Sequence, residues 1–369
     1  MNKIPFLDLK AQYRTIRAEV LPALEAVCES TGFAQGPATK VFEQEFAAYC
    51  GVKHCVTLNT GTSALHVAML CLGIGPGDEV IMPAETFIAT AWGASYVGAK
   101  PVFVDIDPVR RTLDPKKVEA AITRRTKAII PVHLYGMPAD MDAILAVANK
   151  HGIPVVEDAA QSQGARYKGR RVGPFGVMTC TSFYPGKNLG AYGEGGALLT
   201  SSDEYAAHAR RLRDHGQSQR YCHDEVGFNY RMDGFQGAVL SIKLKHLDAW
   251  NAARAAHARR YNELLQGLPV TLPSFPADSE SVWHLYVIEC DNRDAIREKL
   301  SAAGVDTGLH YPVPLHLQKV YAWLGHRKGD FPVSEKLADR GLSLPMFAEL
   351  TDEQVQAVAA AVRAAVRAG

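Results

Sequence analysis

Lys187 stands in the run Thr181-Ser182-Phe183-Tyr184-Pro185-Gly186-Lys187-Asn188-Leu189-Gly190, between two apolar strand-like stretches and downstream of a run ending in Glu157-Asp158. A lysine in such a loop, with hydroxyl groups beside it and an acid on the preceding strand, has what a Schiff base to pyridoxal phosphate requires. Asp158 would pair with the pyridine nitrogen and keep it protonated, so that the ring draws electrons from a carbanion. Opposite charges at contact distance favour the ionised form of each partner. Gln161, three residues on, would bond the ring's 3-oxygen. Taken alone, Asp158 reads better as a helix N-cap after a strand.

Thr60-Gly61-Thr62-Ser63-Ala64-Leu65 follows another strand-like run and opens a helix. Free N–H groups at a helix N-terminus, with two hydroxyls, make a phosphate site, and Gly61 permits close approach. Thr62 and Ser63 would hold the ester phosphate, and Ser182 would add a third hydroxyl. A capped helix after a turn explains so short a motif equally well, and the GxxxxGK[ST] pattern is missing. Phe87, in Ala84-Glu85-Thr86-Phe87, would stack on the pyridine ring, although a lone phenylalanine is usually a core residue.

These residues need a scaffold that brings strand ends together. From about residue 50 to 200, Val/Ile-rich runs alternate with helix-like segments. The runs are His54–Leu58, Glu79–Met82, Pro101–Asp105, Ala128–Val132 and Ile153–Glu157, with Thr179–Tyr184 and Gly196–Thr200 flanking the lysine loop. Continuous apolar runs indicate strands covered on both faces, hence an α/β layer architecture with a mainly parallel sheet. Thr62–Leu72, Thr86–Tyr96 and Met141–His151 carry helical spacing closed by Gly73, Gly98 and Gly152. Ligands bind at the strand ends of such sheets. Asp233 to about Leu265 reads as one proline-free helix, roughly 50 Å long at 1.5 Å per residue. Beyond it, Trp283–Glu289 reads as a strand, Asp294–Ala303 as a helix and Asp352–Ala368 as a terminal helix. The division expected is a large domain over 1–249 and a smaller α/β domain over 250–369, since 369 residues exceed one ordinary core.

Composition removes other classes. With 40 basic and 39 acidic residues the net charge is +1, so no overall field attracts nucleic acid or an anionic membrane. Arg210-Arg211-Leu212-Arg213 and Arg124-Arg125 read as solvated helix faces. No window approaches the roughly 20 apolar residues of a membrane span. Seven cysteines without a CxxC pair fit a reducing cytoplasm.

Taken in order, the phosphate turn, the aromatic, Asp158 with Gln161, Ser182 and Lys187 resemble the DegT/DnrJ/EryC1/StrS family of nucleotide-sugar aminotransferases. The resemblance covers nearly the whole chain, from Ile4-Pro5-Phe6-Leu7-Asp8-Leu9 through Asp158-Ala159-Ala160-Gln161 and the lysine loop to Gly193-Glu194-Gly195-Gly196-Ala197. It implies the aspartate aminotransferase type (fold type I) architecture, a homodimer with a composite active site, and glutamate as amino donor. Gly227-Phe228-Asn229-Tyr230-Arg231-Met232-Asp233 is similar to the family segment whose asparagine reaches the partner's cofactor phosphate, so Asn229 takes that role. Arg231 would bind a substrate carboxylate, or make an ion pair at a helix start. Leu309-His310-Tyr311-Pro312 is similar to the family's substrate-facing loop, which assigns His310 and Tyr311 to substrate, with Tyr184 from the lysine loop. His316 reads as an ordinary loop histidine.

The resemblance implies ping-pong transamination, with Lys187 moving the proton as base and then acid. The Phe183–Asn188 loop together with His310-Tyr311-Pro312 is more similar to members acting on 3-keto sugars than at C4. The expected acceptor is a UDP-linked 2-acetamido sugar or a dTDP-linked 6-deoxyhexose, with the Asn229–Asp233 wording favouring UDP. A C4 aminotransferase would share every cofactor residue. A dehydratase member would carry histidine in place of Lys187, and a non-catalytic regulator would not need the full residue set. The product would suit a lipopolysaccharide, capsule or antibiotic sugar.

Overall fold

The computed structural model describes residues 3–367. The Val/Ile-rich runs form β1 (His54–Leu58), β2 (Glu79–Pro83), β3 (Lys100–Val104), β4 (Thr126–Ile129), β5 (Val156–Asp158), β6 (Met178–Ser182) and β7 (Gly196–Thr200). β2 runs parallel to β3 and β4, and β5 parallel to β6. Parallel bridges Ile129–Val155 and Val132–Asp158 join the two groups. β7 lies antiparallel between β6 and β1. The layer therefore reads β3-β2-β4-β5-β6-β7-β1 with β7 alone reversed, the mixed, mainly parallel sheet that covered apolar runs predict.

Around it lie α1 (Leu9–Ser30), α2 (Gly36–Cys50), α3 (Gly61–Cys71) and α4 (Ala89–Tyr96). α3 is buried from Ser63 to Met69 and therefore shows no polar face in its sequence. α1 and α2 pack on the helix Gly234–Leu265, 32 residues long, which Asp233 precedes in extended conformation. That helix crosses the expected boundary at 249/250 without a break. Its second half, with Ala258, Tyr261 and Leu265, joins a separate apolar core containing Tyr286, Ile288, Val355 and Val358. Ile4 also belongs to that core and bridges Val305, so the chain's start packs against its C-terminal part.

Several element boundaries shift by one to three residues from expectation, two of them for evident local reasons. The helix expected from Thr86 starts at Ala89, because Thr86 and Phe87 form the turn that leaves β2. The strand expected from Trp283 starts at Tyr286, because Trp283 has a left-handed φ of 49° that no strand accommodates. The terminal helix runs Asp352–Arg367, and Ala368 lies outside the described residues. Among the described residues no helix is long and apolar enough to cross a membrane.

Candidate active site

Parallel strands end on the same side of a sheet, so β5 delivers Asp158 and β6 delivers Ser182 and the lysine loop to one place. The alternation of a strand separates Asp158 from its neighbour Glu157. Glu157 is fully paired: Oε1 accepts from Phe175 N, Gly176 N and Thr179 Oγ1, and Oε2 meets His133 Nε2 at 3.1 Å. Burial opposes its charge, but the bond to His133 and those N–H groups hold its carboxyl below the usual value. Asp158 faces the other way, into a cleft of about 810 Å³. Its Oδ2 accepts from Thr90 Oγ1 at 2.7 Å and its Oδ1 from Ala160 N at 3.1 Å. Burial raises its pKa, against the lowering effect of these bonds and of the Lys187 charge.

Lys187 lines the same cleft, and burial pushes its ammonium down to about 8 while Asp158 pulls it up. Opposite it stands the N-terminus of α3. Thr60 caps that helix, its Oγ1 accepting from Ser63 N at 2.9 Å. The first N–H groups, on Gly61 and Thr62, have no carbonyl to meet within the helix. A Cβ on Gly61 would lie 2.7 Å from the Cβ of Ser182, so glycine is what lets the helix start approach the lysine loop. Thr62 and Ser182 line the cleft. Ser63 is not brought there: its hydroxyl bonds Asn59 Oδ1 at 2.6 Å and Thr60 Oγ1 at 2.8 Å, and its N–H belongs to the cap. Thr60 lines the cleft instead.

The remaining wall comes from distant parts of the chain. Phe87 is half exposed in the cleft mouth, its ring 5.5 Å from that of Tyr311. Gln161 accepts from Tyr135 N at 2.7 Å and donates to Tyr311 Oη at 3.0 Å. Tyr311 N donates to Glu85 Oε1 at 2.9 Å, and Tyr135 Oη donates to His310 O. His310 stacks on Phe6 and meets Ser343 Oγ through Nδ1 at 2.8 Å; burial, then Lys187, push its pKa down to about 4. Tyr184 is exposed at the rim.

Asn229 and Arg231 lie elsewhere, in a recess of about 330 Å³ with Asn59, Glu194 and Asp233. Arg231 is ion-paired to Asp214 and touches His215, so within one chain its guanidinium is engaged rather than open to a substrate carboxylate. His316 is buried against Glu335 at 3.0 Å, away from both. Sequence reading missed Thr90, Glu85 and His284, which carried no motif; only their position beside Asp158, Tyr311 and Lys187 reveals them.

The donor set fits pyridoxal phosphate. A buried carboxylate in need of a cation suits a protonated ring nitrogen, a glycine-opened helix start with Thr62 and Ser182 suits the phosphate, and a reachable lysine suits the aldehyde. Among the described lining residues Lys187 is the one side chain of lysine or arginine type. Such a lysine and acid at parallel strand ends, facing a helix N-terminus, define a fold type I pyridoxal phosphate-dependent transferase.

The comparisons narrow that class. The chain belongs to the DegT/DnrJ/EryC1/StrS aminotransferase family, whose model matches residues 14–363. It is 49% identical over 362 residues to a protein of Saccharopolyspora erythraea named erythromycin biosynthesis sensory transduction protein EryC1, covering 98% of this chain and 99% of that one. It is also 49% identical over 362 residues to the dTDP-3-amino-3,4,6-trideoxy-alpha-D-glucose transaminase of Streptomyces venezuelae, covering 98% and 96%. The X-ray structure of S. venezuelae DesV in complex with a ketimine intermediate superposes with a TM-score of 0.97 at 48% identity, covering 99% of this chain and 98% of that one.

Proposed function

We propose that this aminotransferase moves the amino group of glutamate to a ketone at C3 of a nucleotide-linked sugar, with Lys187 as the proton-moving residue. The observation that carries the reading is Lys187 placed in one cleft with the buried carboxylate of Asp158. Position 3 is favoured by the loops around Lys187 and His310, and by the similarity to a transaminase of a 3-amino sugar.

Pyridoxal phosphate, when bound, supplies an electron sink for negative charge on the carbon that loses its proton. Asp158 would keep the ring nitrogen charged, and Thr90 would hold that carboxylate in place. The helix start at Gly61 and Thr62, with Ser182, would take the phosphate. Lys187 is held by burial near a pKa of about 8, which suits an amine that takes a proton and returns it at neutral pH. Gln161 and Tyr311, tied together, would fix one wall, while Tyr184 and His310 face the sugar.

The reactants carry phosphates and carboxylates, yet Lys187 is the one lysine or arginine among the described lining residues. A further phosphate contact then comes from a second copy in a homodimer, through Asn229 of the separate recess. Residues 250–369 form the smaller domain on this reading. A cytoplasmic setting agrees with seven free cysteines.

The test is amination of purified 3-keto and 4-keto nucleotide sugars, UDP- and dTDP-linked, with the position read by NMR. Glutamate should bleach the yellow holoenzyme and the new amine should sit on C3. Amination at C4 alone would refute the regiochemistry.

A further inference from the structure

His284 lines the cleft beside Lys187, and no step above employs it. It precedes the strand Tyr286–Cys290. The guanidinium of Arg254, from the long helix, holds its backbone by donating to Trp283 O at 3.2 Å and His284 O at 3.4 Å. The ring is fixed as well. Its Nδ1 lies 3.1 Å from Oδ1 of Asn188, the residue next to Lys187.

The direction of that bond follows from the bonds behind it. Nδ2 of Asn188 donates to the carbonyl of Val282 at 2.8 Å, and to Asn251 Oδ1 at 2.8 Å. Nδ2 of Asn251 in turn donates to the carbonyl of Gln163 at 2.9 Å. Main-chain carbonyls only accept, so both amide orientations are determined and Asn188 Oδ1 must accept. The proton of the neutral imidazole is therefore on Nδ1. Nε2 carries a lone pair and has no partner among the described residues.

That lone pair stays available. Burial drives the imidazole well below its usual pKa, and the Lys187, Arg254 and His310 charges add to the effect. A proton relay through the ring is also closed, because Asn188 Oδ1 accepts and has no proton to give.

Resting on the function proposed above, we propose that His284 is a specificity residue for the sugar half of the reaction, its Nε2 accepting a hydrogen bond from a sugar hydroxyl. The chemistry of the two reactants separates them. The carboxylates of glutamate offer acceptors, which a lone pair repels, and the donor's amine is consumed at the cofactor. A sugar offers O–H donors. Asn188 then acts as a positioning residue that holds the tautomer.

Two variants and two half-reactions test this. In His284→Asn the shortened side chain withdraws from the Nε2 position, whereas His284→Gln restores an amide there. The glutamate half-reaction is read as bleaching in a single turnover. The sugar half-reaction is read as return of the visible band, and affinity for the amino-sugar nucleotide by calorimetry. For His284→Asn the expected result is a roughly tenfold loss in the sugar half and in calorimetric affinity, the scale of one lost hydrogen bond, with the glutamate half within about twofold of wild type. His284→Gln should recover most of that loss. Equal losses in both halves, or an unchanged sugar half and affinity, would overturn the assignment. If wild-type protein failed to bleach with glutamate while His284→Asn still weakened sugar-nucleotide binding, the proposed reaction would fall and His284 would stand.

Discussion

Lys187, partly exposed in the cleft wall, and Lys243, fully buried, both have ammonium groups that desolvation pushes down to about 8. Lys243, on the long helix, is 1% exposed; its Nζ donates to Gly190 O at 2.7 Å and lies 4.6 Å from the centre of the Tyr192 ring. An acid raises both amines, Asp158 that of Lys187 and Glu349 that of Lys243, but Lys187 alone of the two has an open cleft before it, and its amine has no hydrogen-bond partner among the described residues. A depressed lysine pKa therefore reports desolvation, and access decides which lysine reacts. The two are also linked. Gly190 belongs to the lysine loop, and a Cβ there would sit 2.2 Å from Pro185 O, so Lys243 braces a tight turn that only glycine permits.

The largest expected effect comes from removing the reacting amine. Lys187→Ala should lower amination by about 10³–10⁴-fold or more, measured as steady-state turnover, with an unchanged circular dichroism spectrum. Asp158→Asn should cost roughly 10²–10³-fold in kcat, because the ring would lose the charge that keeps its nitrogen protonated. Lys243→Met sharpens the comparison from the other side. It should lower stability by about 1–3 kcal/mol in urea unfolding, since Gly190 O would lose its donor, while bleaching by glutamate persists. Loss of the visible band in Lys243→Met would break the distinction between the two lysines.

Glu85 gives the same lesson for an acid. Its Oε1 accepts from Tyr311 N, its Oε2 has no partner among the described residues, and burial raises its pKa to about 8. A carboxyl whose folded pKa is raised holds its proton longer when folded, so its contribution is complete below 4.5 and is lost as pH rises towards 8. Wild type should therefore lose stability relative to Glu85→Gln across that window, with a slope of at most about 1.4 kcal/mol per pH unit. Parallel urea midpoints at pH 5, 6, 7 and 8 would show no such window if Glu85 were ionised throughout.

Much of the sheet was legible because covered strands need unbroken Val/Ile runs, and the lysine, Asp158 and Gly61 came from short motifs at strand ends. The N-terminal helices α1 and α2 left little trace, since their stability comes from packing on the long helix rather than from strong local signals. Ser63 was misplaced because a cap and a phosphate site share a sequence pattern; only the bonds to Asn59 and Thr60 separate them. Arg231 kept two readings for a similar reason, and within one chain its ion pair with Asp214 is the one seen. His284 and Glu85 were illegible because their meaning lies in neighbours more than 90 residues away, Asn188 for one and Tyr311 for the other.

Borohydride reduction of the yellow holoenzyme, followed by peptide mapping, compares the two lysines in one measurement. The reduced pyridoxyl group should be recovered on the peptide containing Lys187, with Lys243 unmodified, and prior addition of glutamate should prevent the labelling. A label on Lys243 or another lysine, or labelling that glutamate leaves untouched, would contradict the assignment of Lys187.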